Sequence, residues 1–341
     1  MASVTPANEF PTLVRLLLQA KGSSIDATIM AENSDLCSDR ICRVLRAAVA
    51  AGSLADPQWA GALADMKTMV SIFLETLRET SILVRMLADL RRAPLNARVV
   101  SNTVALVGQT IGEMKVKPVS RLALAQQSLQ PRKAVIITAL SSEVILSTSP
   151  AGLAMLSSEL RTGISAALDG GFIDVLEAGL TPIASTGSTP DKLAADIRDL
   201  LNTVNKTGSS RLYFVMGPIL ANGFATVTTA DGIFAFPGMG PSGGEILTLP
   251  ALVSDQATAG RLLLVDAAQI AADMGPITID ATEHAALRMS DAVTDPAAAD
   301  VVSSLWQANL RALKAEAWYG AERLSSTAVA ALDGITFAAA P

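Results

Sequence analysis

Histidine, cysteine and aromatic residues are scarce in this chain: one histidine, two cysteines, three tryptophans, two tyrosines and eight phenylalanines among 341 residues. One imidazole and two thiols fall short of the ligand set of a structural zinc site. Cys37 and Cys42 lie five residues apart on a stretch that reads as helix, about 140° apart around its axis, and cannot pair there. Both are read as reduced cysteines of a cytosolic chain. Charge is thin as well. Only 17% of the residues are charged, against about 25% in a typical soluble domain. Half are apolar and the net charge is −6, which excludes a disordered chain and a global basic footprint for nucleic acid or an anionic membrane. So little charge beside so much apolar content implies surface hidden against other copies of the chain. Long apolar runs are missing too. The longest uncharged run, residues 212–230, contains Gly217-Pro218 and Asn222-Gly223 and reads as strands and turns, not a membrane helix. The opening MASVTPANEF carries Glu9 where a signal peptide would be apolar.

What is present changes character along the chain. The first quarter is rich in alanine, leucine and methionine, with Leu13, Leu16 and Leu17 clustered, a run from Ile41 to Val49, and another from Pro57 to about Leu90; it reads as helices, ended by Pro94. Valines then recur from Arg98 to Gln130 around Gly108 and Gly112, which predicts two strands flanking a turn near 108–114. Residues 85–133 hold nine bases against Asp89 and Glu113, a local +7 within a chain of net −6, so the remainder carries −13. A two-stranded ribbon is marginal alone in water, and an acidic copy of the same chain is the simplest partner for a basic one. Lys115 and Lys117, beside the hairpin tip, read either as edge charges that block aggregation or as salt-bridge donors to a neighbouring subunit.

Ala134–Leu140 reads as a short buried strand. After SSEVILSTS, Ser149 as N-cap and Pro150 at the first helical position open a helix over 150–169, closed by Gly170-Gly171. A second helix is expected from Asp191 to about Val204. Short strands are expected at 212–216, 225–229, 233–236, 246–249, 262–266 and 277–280. The end, from Ser303, reads as two long paired strands, with Trp306, Trp318 and Tyr319 on an alternating stretch where packing is the default role.

Two patterns suggest chemistry and fail on their surroundings. Gly240-Pro-Ser242-Gly-Gly244 matches G-x-S-x-G, and Asp266 or Asp280 followed by His284 completes a hydrolase order. That chemistry needs a strand-to-helix turn at the serine, whereas EILTLP, a strand signal, follows. Gly238, Gly240 and Gly243 also fit G-x-G-x-x-G, which must open a helix to hold a pyrophosphate. Both read as one glycine-rich hairpin loop. The lone His284 reads as a structural or surface residue. No catalytic, cofactor or metal constellation stands out, and the chain is read as a non-enzyme without cofactors.

The order of these segments (helical arm, basic glycine-bearing hairpin, apolar strand with Ser141-Ser142-Glu143, long helix ending Asp-Gly-Gly, mixed strand domain, closing strands) resembles the tailed-phage major capsid proteins of the Hong Kong 97 fold. The resemblance runs over residues 95–337 and is carried by Lys133–Asp174, Gly275–Asp291 and Ser303–Phe337, the last with Trp306-Gln307 and Leu310-Arg311.

The resemblance implies an α+β subunit with a helical N-terminal region over 1–95, an extended loop over 96–132, and a peripheral domain over 133–186 with a spine helix at 150–169. An axial domain over 187–275 and return strands over 276–341 complete it. Many members of that family lose an N-terminal scaffolding segment to a protease; with this chain starting at Met1, residues 1–90 are expected to remain in the mature subunit. The resemblance further implies that Lys115, Lys117 and Arg121 make contacts between subunits, and that Gly238, Gly240 and Gly243 form an axial loop. The implied function is a structural one: pentamers and hexamers closing an icosahedral shell around double-stranded DNA held without sequence specificity. The implied partners are further copies, portal, scaffolding and decoration proteins, with no membrane, and the implied location is the virion capsid, reached through the host bacterial cytoplasm. An encapsulin-like compartment of the same fold and a serine hydrolase using Ser242 and His284 are the alternatives.

Overall fold

A computed structural model describes residues 24–32, 80–104, 123–147, 150–206, 211–288 and 302–337, with scattered single positions elsewhere. In chain order these form α1 (Ser24–Glu32), α2 (Ile82–Met86), β1 (Arg91–Arg92), β2 (Arg98–Val104), β3 (Ala123–Ser128) and β4 (Arg132–Ser141). Next come α3 (Ser142–Ser147), α4 (Pro150–Glu177), β5 (Ile183–Ala184), α5 (Pro190–Val204), β6 (Leu212–Met216) and α6 (Pro218–Thr226). A meander of β7 (Met239–Gly240), β8 (Gly243–Ile246) and β9 (Leu249–Val253) leads to β10 (Leu262–Asp266) and β11 (Ile270–Thr282). The last elements are β12 (Ala286–Arg288), β13 (Val302–Ser304), β14 (Leu310–Arg323) and β15 (Val329–Asp333). The mixture is α+β, as expected.

The chain divides into two units, one of residues 1–80, 134–165 and 276–317, the other of residues 81–133, 166–275 and 318–341. In the first, Leu160 of α4 packs with Ile145 of α3 and Leu313 of β14 in a small core flanked by Ile136 and Leu140 of β4. Strand β4 forms where expected but is not a buried strand: Val135 and Ile137 are exposed, and burial alternates along it. Residues 142–147, in the stretch SSEVILSTS for which the sequence predicts no element, form α3.

The second unit is built on a seven-stranded sheet in the order β5-β15-β10-β6-β9-β8-β7. Strands β6 and β10 pair antiparallel along their whole length, Leu212 opposite Asp266 and Met216 opposite Leu262. Helix α5 forms as expected. Its Leu193, Ile197, Leu200 and Val204 fall on one face at helical spacing and are buried with Phe214, Leu264 and Leu332 of the sheet. Pro190 at its start needs no N–H, the usual reason proline opens a helix.

Several expectations are corrected. Gly170-Gly171 does not end the long helix. It runs 28 residues to Glu177, about 42 Å at 1.5 Å per residue, and stops before Gly179, whose φ of +65° suits the chain reversal. Ser149, the expected cap, lies outside the described residues. The expected strand at 225–229 does not form: Ala225 and Thr226 are the end of α6, which Gly217-Pro218 open and which runs through Asn222-Gly223, and residues 227–229 carry only an isolated bridge; Phe224, fully buried, stacks edge-on against Phe236 at 5.2 Å. At 233–236 there is only an isolated bridge from Thr228 to Phe234. The expected strand at 246–249 is interrupted by a turn at Leu247-Thr248, between β8 and β9. The two closing strands do not pair with each other: β14 lies between β11 and β4, and β15 lies between β5 and β10. Trp306 falls in the turn before β14, 72% exposed, so it is off the strand expected to carry it. Cys37 and Cys42, and most of the expected N-terminal helices, lie outside the described residues.

Candidate subunit interface

The basic ribbon is the first candidate. Strands β2 and β3 pair antiparallel, Arg98 opposite Ser128 and Val104 opposite Ala123, with a bulge between Asn102 and Val104. They form a two-stranded sheet of their own. Its root is fixed in the second unit: the Asn96 N–H donates to the Leu129 carbonyl at 3.0 Å and the Leu129 N–H donates to the Ala97 carbonyl at 3.1 Å. Val99 and Leu129 are buried with Ala93, Ala271 and Leu324. Beyond the ribbon's root, Lys133 at the start of β4 sits over the Trp318 ring, 3.9 Å from its centroid, a cation–π contact that holds the return of the chain. Lys115, Lys117 and Arg121 lie outside the described residues.

The glycine meander is the second. Gly240 and Gly243 pair across a two-residue turn of Pro241 and Ser242, and Gly238 precedes β7. Gly243 has φ +106° and Gly244 φ +156°, and a Cβ on Gly244 would collide with the Gly238 carbonyl. The glycines therefore allow close backbone approach and unusual φ, as hairpins demand. Ser242 is an exposed turn residue followed by β8, and no helix opens after it. His284 is exposed, with Nε2 3.5 Å from Glu283 of its own strand end. The hydrolase and dinucleotide patterns thus lack the helix their chemistry requires. Among the described residues, no group of three or more His, Cys, Asp or Glu gathers as a metal site.

Carboxylates to which the sequence assigned no contact tie the elements together; Asp196, which beside Asp199 reads in the sequence as part of a solvated face, is instead buried. Asp169 is buried on α4 and accepts from Ser81 Oγ at 2.6 Å, Ile82 N at 3.0 Å, Leu83 N at 3.3 Å and Ser254 Oγ at 3.2 Å. It thereby caps α2 from another element and ties in the loop after β9. Burial holds its carboxyl above the ordinary aspartate value, with the hydrogen bonds opposing. The available signal was its position among buried Leu168, Phe172 and Ile173, where a lone acid must find donors. Asp196 on α5 similarly accepts from Ser185 Oγ at 2.9 Å and from Thr186 N and Oγ1 at 2.9 and 2.8 Å. Arg261 bridges Glu177 and Asp333, 2.7 Å to each. Tyr213 donates to Asp89, and burial together with that carboxylate pushes the phenol up to about 12. In the first unit, Asn309 at φ +51° donates from Nδ2 to Glu143 Oε1 at 2.6 Å while its carbonyl accepts from Ser142 N at 3.0 Å, pinning the turn before β14 to the start of α3. The backbone hydrogen bond and then Asn309 hold the Glu143 carboxyl below its ordinary value.

A long helix, a separate two-stranded ribbon and a meander-edged mixed sheet make up the Hong Kong 97 type of fold. Solved structures from Gordonia phage Cozz and Mycobacterium phage Ogopogo share the fold, each with a TM-score of 0.52, at 17% and 18% identity, over 74% and 75% of this chain and 86% and 92% of theirs. So does the capsid of an empty GTA particle, at 12% identity with a TM-score of 0.52, over 75% of this chain and 90% of that one. Residues 64–298 match the phage capsid family, and the chain belongs to it. It is 32% identical over 323 residues to the capsid polyprotein of Pseudomonas phage PAJU2, an alignment covering 87% of this chain and 48% of that protein. It is 26% identical over 252 residues to the probable major capsid protein gp17 of Mycobacterium phage D29, covering 67% of this chain and 76% of that one. The chain thus spans about half the length of the PAJU2 polyprotein.

Proposed function

We propose that the chain is a major capsid protein, a structural non-enzyme that self-assembles into the pentamers and hexamers of an icosahedral shell enclosing double-stranded DNA. The β2–β3 ribbon carries the reading: it is basic at its root, anchored at one end, and paired with no third strand among the described residues. A ribbon of that kind gains its stability by lying on something acidic, and the net acidity of the rest of the chain makes a second copy the complement. Lys115, Lys117 and Arg121 supply the contacts, as the extended loop over 96–132. The hairpin with Gly238, Gly240 and Gly243 serves as the axial loop of the domain over 187–275. Portal, scaffolding and decoration proteins are the further partners, and the DNA is held without sequence specificity. Assembly takes place in the host bacterial cytoplasm and ends in the virion.

Negative-stain microscopy of the expressed protein tests this. Wild type is expected to form closed particles, while the combined Lys115→Glu, Lys117→Glu and Arg121→Glu variant stays folded and fails to close. Normal particles from the variant would remove the ribbon's role, and no particles from the wild type would remove the shell. Nuclease-protected DNA inside supports the phage shell; protein cargo in its place would mean an encapsulin-like compartment.

A further inference from the structure

Near the C-terminal end of α4, the second unit contains a cleft of about 210 Å³ that none of the contacts above explains. Its floor is apolar, from Ile183, Val329, Ala330 and Ala331, the last three buried on β15. Arg323, at the end of β14, lines it together with the hydroxyl-bearing Thr181, Thr203 and Ser326, and no carboxylate does among the described residues. The Arg323 guanidinium donates through Nη2 to the Ala178 carbonyl. Burial pulls its pKa below the ordinary arginine value, and the adjacent Glu322 only partly opposes this. Successive strand residues point to opposite faces, so Glu322 is directed away from the side Arg323 serves. The Thr203 hydroxyl is already donated to the Asp199 carbonyl at 2.9 Å, which leaves those of Thr181 and Ser326 as the donors at the rim.

We propose that this cleft is a receptor for one aspartate or glutamate side chain of a second copy of the chain. The inference rests on the shell reading above and names one of its contacts. A guanidinium partly stripped of water, with one neutral acceptor, is satisfied best by a carboxylate, whose two oxygens match its fork. The apolar floor strengthens that attraction. The volume suits one side chain. A nucleic-acid backbone is the poorer fit, because tracking successive phosphates takes several bases in a row, and Arg323 is the only base among the described lining residues. A chain of net charge −6 offers many carboxylates from its own copies.

Particle yield on a density gradient, measured beside thermal unfolding of the unassembled subunit, tests this with Arg323→Glu, Arg323→Ala and Arg323→Lys. Arg323→Glu is expected to lower yield by about tenfold or more, the equivalent of losing one charge-assisted contact per subunit. Arg323→Lys should fall between it and wild type. Wild-type yield from a folded Arg323→Glu, beside normal wild-type particles, would overturn the cleft and leave the shell reading intact. Failure of the wild type to assemble would overturn both. Because Arg323 also holds Ala178, a second measurement avoids the variants' folding. A photoreactive benzoylphenylalanine at Thr181, in particles mixed from isotopically heavy and light subunits, should cross-link to a peptide of another copy bearing Asp or Glu. Cross-linking to the same copy, to an acid-free peptide or to DNA would overturn the proposal.

Discussion

The Tyr319 hydroxyl of β14 fills the space that a side chain on Gly171 of α4 would occupy. Alanine is the better helix former by about 0.5–1 kcal/mol, yet Gly171→Ala is expected to destabilise by about 1–3 kcal/mol, because the ring must move within a packed interior. Adding Tyr319→Phe, which removes the colliding oxygen, should recover most of the loss. Denaturant unfolding of the single and double variants measures both, and a stabilised Gly171→Ala would show that the ring swings aside freely.

Asp169→Ala strands two serine hydroxyls and two backbone N–H groups, with an expected cost of about 3–5 kcal/mol. Its pH dependence has a defined sign. The carboxyl is raised above 3.8 in the fold, so the native state binds a proton more readily than the unfolded chain. That support is complete below the unfolded value and is lost as pH rises through the folded one. The melting temperature of wild type relative to Asp169→Asn should therefore climb as pH falls from about 7 toward 4. A flat difference would contradict the raised value.

Arg261 works in the opposite sense. It holds the Asp333 carboxyl below 3.8, so its support is present above the unfolded value and fades as pH falls through the folded one. Arg261→Ala is expected to cost about 1–2 kcal/mol at neutral pH, discounted because Asp333 is partly exposed. The cost should shrink near pH 3, and urea midpoints at the two pH values decide it. Arg261→Lys should recover only part, since an ammonium cannot fork between Glu177 and Asp333.

Leu247 and Thr248 form the two-residue turn between β8 and β9 with φ of +52° and +65°. Left-handed backbone costs an ordinary residue about 1–2 kcal/mol, and such turns favour Asn-Gly. The double variant Leu247→Asn, Thr248→Gly is expected to raise stability by about 1 kcal/mol or more. An unchanged or lowered unfolding midpoint would mean that the exposed Leu247 side chain packs on something that matters to the subunit.

Much of the fold was legible where periodicity is strong and local. The spacing of Leu193, Ile197, Leu200 and Val204 marks α5, the valines after Arg98 mark the ribbon, and the apolar runs at 212–216 and 262–266 mark the central strands. Errors fall where a local signal competed with packing. Gly170-Gly171 is a stop signal in isolation, but its helix continues because Tyr319 and the buried Leu168, Phe172 and Leu176 reward continuation. Asn222-Gly223 is a turn signal, overruled by the burial of Phe224. The Ser242 motif reads as a hairpin because EILTLP after it carries no helix signal, although that stretch is the end of β8, a turn and the start of β9 rather than one strand. Asp169, Arg261 and Arg323 were invisible as a set, since their partners lie tens of residues away.

Composition and short-range pattern alone established that this polypeptide mixes helices with strands and gathers nine of its 26 bases, against two acids, into residues 85–133. Those properties depend on residues close in sequence, whose steric and hydropathic preferences act before any chain segment meets another. Which sheet each closing strand joins, where the long helix stops and which buried acids hold the loops were decided by the tertiary structure. Strand partners, close approaches and desolvated charges are relations between distant residues, and their energies exist only once the chain has brought those residues together.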